Sequence, residues 1–94
     1  MPAMHFTIRW PDGEEARCYS PSTIVREFFA AGSDYAVGEF VARSREALTI
    51  GSERVRQKYG FACSSALDQL AQIEHHARRF DGEPRAVVTV LALG

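Results

Sequence analysis

The sequence predicts one α+β domain over residues 1–94, in the order β-β-α-α-α-β, with a three-stranded sheet and a long helical hairpin packed on one of its faces. Three observations carry that expectation. Met4, Phe6, Ile8 and Trp10 alternate with polar residues, the period of a strand buried on one side only. Apolar and small residues then recur in steps of three and four from Val37 to Tyr59 and again from Ala66 to Phe80, the period of helices with one buried stripe. Last, the stretch from Ala86 to Leu93 is an almost unbroken, Val-rich apolar run of strand length.

Composition bounds the rest. Ninety-four residues hold one core and not two, and a hydrophobic fraction of 46% supplies that core, which excludes a disordered chain. Eleven basic against twelve acidic residues leave a net charge of −1, so the bulk electrostatic basis for binding nucleic acid or an anionic membrane is absent. No apolar run approaches the roughly 18 residues of a membrane span. The first residues lack the basic and apolar regions of a secretory signal, and a cytoplasmic protein is expected. Two cysteines, Cys18 and Cys63, are too few for a disulfide framework and are read as reduced thiols.

The elements follow in order. Pro11-Asp12-Gly13 is turn chemistry, with Gly13 accepting the left-handed geometry that ends a bulged hairpin. Register selects this turn over a tighter one: pairing Trp10 with Glu14 sets Ile8 opposite Ala16 and Phe6 opposite Cys18. The same register sets Arg9 against Glu15 and His5 against Tyr19 on the polar side, between strands of about residues 3–10 and 14–19. Ser20, followed by Pro21 as the first helical residue, opens a short helix whose stripe is Ile24, Val25, Phe28 and Phe29, stopped at Gly32.

A long helix has the seam Val37, Val41, Ser44, Leu48, Gly51, Val55 and Tyr59, in which the small Ser44 and Gly51 admit the close approach of another backbone. Its opposite face carries Glu39, Glu46 and Glu53, with Arg43 and Arg56 at supportive spacings. Gly60 suits the left-handed position that closes this helix, and Phe61 the apolar contact that follows. Ser65 and Asp68 make an approximate capping box for a third helix with the seam Ala66, Leu67, Leu70, Ile73, Ala77 and Phe80. The short link between the last two helices makes them antiparallel, and the final strand is expected beside the first.

Candidate chemistry is sparse. His75 and His76 are adjacent on a helix and point about 100° apart, so they cannot ligate one ion together, and no metal is expected from local spacing. Cys63 precedes a helix start, where a thiol can be activated and free N–H groups can meet an anion. Cys63, Ser64 and Ser65 with Tyr59 are therefore the candidate ligand-binding residues, while no partner base or glycine pattern completes a catalytic or phosphate site. No catalytic residue and no cofactor are assigned. The sheet face away from the helices exposes His5, Arg9, Arg17 and Tyr19, to which the last strand adds either Val87, Thr89, Leu91 and Leu93 or Val88 and Val90. The expected interaction face takes the second choice, Val88 and Val90, and it or the edge of the last strand is expected to form a homodimer.

Several strings together carry a family resemblance: Arg9-Trp10-Pro11-Asp12-Gly13, Arg17-Cys18-Tyr19-Ser20-Pro21-Ser22, Glu39-Phe40-Val41, and above all Lys58-Tyr59-Gly60-Phe61-Ala62-Cys63-Ser64-Ser65-Ala66. The chain resembles a small bacterial family of nitrogen starvation response proteins of mycobacterial type. That resemblance implies a gene-cluster context that includes a nitrilase, and so nitrogen or nitrile metabolism, without implying a reaction or any functional residue. The expected function is a non-catalytic accessory or protein-interaction domain that self-associates and binds an enzyme partner from that cluster. The alternative is a small-ligand binder or minor enzyme at the Cys63 helix entry.

Overall fold

A computed structural model describes residues 3–94. β1 (Met4–Arg9) and β2 (Glu15–Ser20) form the expected hairpin in the expected register, Ile8 against Ala16, Phe6 against Cys18, His5 against Tyr19 and Arg9 against Glu15. The turn closes as its residues dictate. The Trp10 N–H donates to the Glu14 carbonyl at 2.8 Å, the Gly13 N–H to the Trp10 carbonyl at 2.9 Å, and Gly13 adopts φ 89°.

Among the described residues, four strands and two α-helices replace the expected three strands and three helices. The short helix opening at Ser20 is instead a 3-10 turn, Thr23–Glu27, capped by Ser22 rather than Ser20. Ser20 Oγ donates to the Ser22 carbonyl at 2.6 Å, so this serine closes a turn around Pro21, and the Ile24 N–H is left to the Ser22 hydroxyl. Val25 and Phe29 are nonetheless buried in the core, where the stripe placed them. At Gly32, with φ 83°, it turns back to the sheet: the Gly32 N–H donates to the Val90 carbonyl and the Val90 N–H to the Ser33 carbonyl.

The missed strand follows immediately. β3 (Asp34–Ala36) pairs antiparallel with β4 (Val87–Leu93), giving an all-antiparallel sheet in the order β2-β1-β4-β3. β4 does lie beside β1, yet it is an interior strand, its other side paired with β3 over Val87, Val88 and Thr89. Its pairing with β1 slips between Thr7 and Ile8: Val90 faces Ile8 while Ala92 faces Thr7, leaving Leu91 as the extra residue of a bulge. The bulge resets the alternation. Val88, Val90 and Leu93 all pack on the core, which a regular strand could not achieve from those positions.

α1 (Val37–Tyr59) and α2 (Ser64–Ala77) lie antiparallel, as the Arg45–Glu74 ion pair at 2.6 Å and the Cys63–Ser52 hydrogen bond show. They cover the sheet face carrying Phe6, Ile8 and Trp10, and the core between the layers adds Phe29, Phe40, Leu48 and Ile73. Phe40 sits at its centre, with ring centroids 5.6 Å from Trp10 and 5.2 Å from Phe29. Gly51 does admit a close neighbour, though it is the Pro21 ring and not a backbone: a Cβ there would lie 3.1 Å from Pro21 Cγ. The solvent face of α1 bears the expected Glu39–Arg43 and Glu53–Arg56 pairs.

Gly60 ends α1 in the left-handed conformation, φ 87°, and its N–H donates to the Arg56 carbonyl at 2.8 Å. Phe61 does not fold back as the apolar cover of that cap and is exposed. α2 begins from Cys63 without a side-chain cap, so the Ser65–Asp68 box is not formed, and Leu67 points outward although the seam placed it inward. At its far end α2 tightens into a 3-10 turn, Arg78–Phe80. No helix of the described residues is long and apolar enough to cross a membrane.

Candidate functional site

The sequence-derived candidates fall on two adjoining surfaces. The first is the corner where α1 passes into α2. Tyr59 ends α1, Cys63 precedes α2, and Ser64 and Ser65 form its first turn. At this helix start the Cys63 N–H donates to Ser52 Oγ at 3.2 Å. Ser64 and Ser65 are exposed, and neither hydroxyl caps the helix. Tyr59 projects into solvent with the Lys58 ammonium 5.5 Å from its ring centroid.

Beside the half-buried Cys63 thiol stands the Tyr19 phenol. Burial pushes the Tyr19 pKa up, and the adjacent Cys63 pushes it the same way. A phenol so shifted stays protonated at neutral pH and cannot take a proton from the thiol, so this neighbour does not make Cys63 a nucleophile. Tyr19 is itself positioned from two sides: its N–H donates to Gln69 Oε1 on α2 at 3.0 Å, and its ring meets His5 edge-on at 5.8 Å. Cys63, Tyr19 and His5 thus form a row around the free edge of β2, joining the corner to the outer sheet face.

That outer face is the second surface. His5, Arg9, Arg17 and Tyr19 share it, as the hairpin register dictates, and Arg9 is engaged by Glu15 at 2.9 Å. Val88 and Val90 are not on it. Both are fully buried, because Val90 pairs with the inward Ile8 and Val88 lies one alternation away, so β4 presents Val87 and Thr89 to the outside instead. Thr89 Oγ1 hydrogen-bonds Asp34 Oδ1 at 2.6 Å. The face is consequently more polar than a Val88–Val90 face.

The apolar surface that sequence reasoning missed is at the corner. Tyr59, Phe61 and Leu67 are 56%, 66% and 50% exposed, whereas periodicity and cap rules placed all three inward. The signal was present in part: Phe61 lies outside both helical periods, and Leu67 directly follows the deeply buried Ala66. At the opposite end of the helical hairpin a cleft of about 670 Å³ is lined by Val37, Val41, Arg45, Glu74, Arg78 and Phe80 among others. The two histidines separate as their adjacency requires. His75 is exposed, while His76 turns inward and stacks on Trp10 at 4.4 Å.

No curated protein and no solved structure matches the chain. A family model described as "Nitrogen starvation-induced protein NitG" matches residues 5–93, from the second residue of β1 to the last of β4. The match spans both surfaces and nearly every residue of the core, and on that extent the chain belongs to the NitG family of nitrogen starvation-induced proteins.

Proposed function

We propose that the chain is a non-catalytic accessory protein of the nitrogen starvation response that works by protein contact, pairing with a second copy and holding an enzyme encoded in a nitrilase-containing gene cluster. The observation that supports this reading is the corner: three large apolar side chains, Tyr59, Phe61 and Leu67, stand in solvent within one short stretch of chain. Fully burying side chains of this kind contributes roughly 1.5–3 kcal/mol each, and with half to two-thirds of their surface still exposed about that share is forgone in the isolated chain and available to a partner. The outer sheet face with His5, Arg9, Arg17, Tyr19 and Val87 is the proposed surface for the second copy, and its mixed charge and aromatic character suits a polar, specific contact.

The two surfaces are tested separately. Light scattering on the full chain at about 100 μM is expected to give the mass of two copies, and Arg17→Glu to return it to one. Co-expression with each enzyme of the cluster is expected to retain one of them, and F61S/L67S to release it while leaving the self-association intact. A single-chain mass together with no retained enzyme would end this reading.

A further inference from the structure

We propose that Asp12, Glu14 and His76 form a binding site for a divalent first-row transition-metal ion of the zinc class. The three come from elements far apart in the chain, the β1–β2 turn and the last turn of α2, and their ligand atoms all lie within 4.8 Å of one another. His76 Nε2 is 3.5 Å from Asp12 Oδ2 and 3.5 Å from Glu14 Oε2. That spacing is too long for a charge-assisted N–H···O bond, which closes to about 2.7–2.9 Å. It fits the edge of a coordination tetrahedron, since metal–nitrogen and metal–oxygen bonds of about 2.0–2.2 Å set ligands about 3.4 Å apart.

A second observation points the same way. Nε2 of His76 is buried and has no hydrogen-bond partner. Buried polar atoms are ordinarily satisfied, and this one is aimed between two carboxylates by a ring that cannot turn away. The imidazole is stacked on Trp10 at 4.4 Å and 24° and packed against Phe80 at 5.9 Å. Asp12 is oriented too: its Oδ1 accepts the Glu14 N–H at 3.0 Å, which leaves Oδ2 to face the imidazole. Such outer contacts are what hold ligands for a metal. Arg79 Nη1, 3.8 Å from Glu14 Oε2, partly offsets the two negative charges. One imidazole and two carboxylates suit a borderline ion, and three protein ligands leave a position open. A cleft of about 210 Å³, lined by Gln69, Gln72 and His76 among others, adjoins it for water or another small donor.

Trp10, the chain's one tryptophan, reports the site directly because its ring lies against His76. The experiment titrates the full chain with Co²⁺, whose unpaired electrons quench a nearby indole, then displaces it with Zn²⁺. Saturable quenching at one ion per chain, reversed by Zn²⁺ and by a chelator, is expected. D12N/E14Q alters only exposed turn residues and is expected to weaken Co²⁺ binding by about tenfold or more, while His75→Gln leaves it unchanged. His76→Gln is expected to abolish it, and D12N/E14Q decides the matter if that variant does not fold. Binding that survives D12N/E14Q, or that is lost in His75→Gln, overturns the proposal. So does a chain that binds neither ion below about 1 mM.

Discussion

The same substitution at two glycines of α1 separates backbone preference from packing. Gly38 lies in the first turn, and a Cβ added there meets no atom within 4 Å; a Cβ at Gly51 meets Pro21 Cγ at 3.1 Å, Pro21 Cδ at 3.5 Å and Ser22 Cβ at 3.5 Å. Replacing glycine by alanine in a helix interior gains about 1 kcal/mol, and less near an end. Gly38→Ala is therefore expected to stabilise by about 0.5 kcal/mol. At Gly51 the full propensity gain is opposed by overpacking, which costs about 1–3 kcal/mol in a dense core. The Pro21 ring is buried and its neighbour Ser22 caps the 3-10 turn, so the strand-to-turn segment has little room to retreat.

The net for Gly51→Ala is a destabilisation of about 0–2 kcal/mol, and the two variants move in opposite directions. Urea unfolding followed by Trp10 fluorescence and by circular dichroism gives both values, and a shift of 1 kcal/mol corresponds to about 4–8 °C in Tm for a domain of this size. If Gly51→Ala stabilises as much as or more than Gly38→Ala, Pro21 does not press on the helix, and the explanation for glycine in the buried seam is wrong.

Three further outcomes are expected. Ser44 is fully buried and its hydroxyl has no partner, so Ser44→Ala, which removes an unsatisfied group and adds helix propensity, is expected to stabilise by about 1 kcal/mol; a loss of that size in urea unfolding would mean that the hydroxyl is bonded after all. Burial pushes the Cys18 thiol up to about 12, so its neutral form is favoured by folding: stability is complete below the unfolded value of 9.0 and falls by about 1.4 kcal/mol per pH unit from there toward 12. Cys18→Ala is expected to flatten that part of the stability-versus-pH curve. Phe40→Ala, at the junction of the Trp10 and Phe29 rings, is expected to cost about 3–5 kcal/mol by calorimetry or urea, against a total stability of roughly 5–14 kcal/mol for 94 residues.

What could be read from the sequence was whatever local chemistry determines. The hairpin register followed from one choice of turn, because the tighter two-residue loop would have set Ile8 against Glu15. The long helix followed from seven seam positions, and its end from one glycine. β3 was illegible for a physical reason: three residues cannot display an alternation, and Asp34–Ala36 becomes a strand only because β4 offers it an edge. The helix expected after Ser20 failed through competition, since two serines flanking Pro21 could each bond the backbone and the local turn won. His76 was illegible in another way. Its sequence neighbours suggest a polar surface, and only the docking of α2 on the hairpin turn brings Asp12 and Glu14 to it.

The bulge at Leu91 links these outcomes to function. Val87–Leu93 carries more apolar residues than one face of a regular strand can hide, and a regular strand would have passed the surplus to the outer sheet face, making that face the natural place for association. By inserting one residue the bulge sends Leu93 as well as Val88 and Val90 inward, and leaves outside a face on which Arg9 pairs with Glu15 and Thr89 with Asp34. Of the large apolar side chains that stay exposed among the described residues, Val87 lies on the sheet while Tyr59, Phe61 and Leu67 lie where α1 passes into α2. A partner that buries apolar surface therefore gains most at that end of the helical hairpin, whereas one that meets the sheet finds Val87 among charged and hydrogen-bonding side chains.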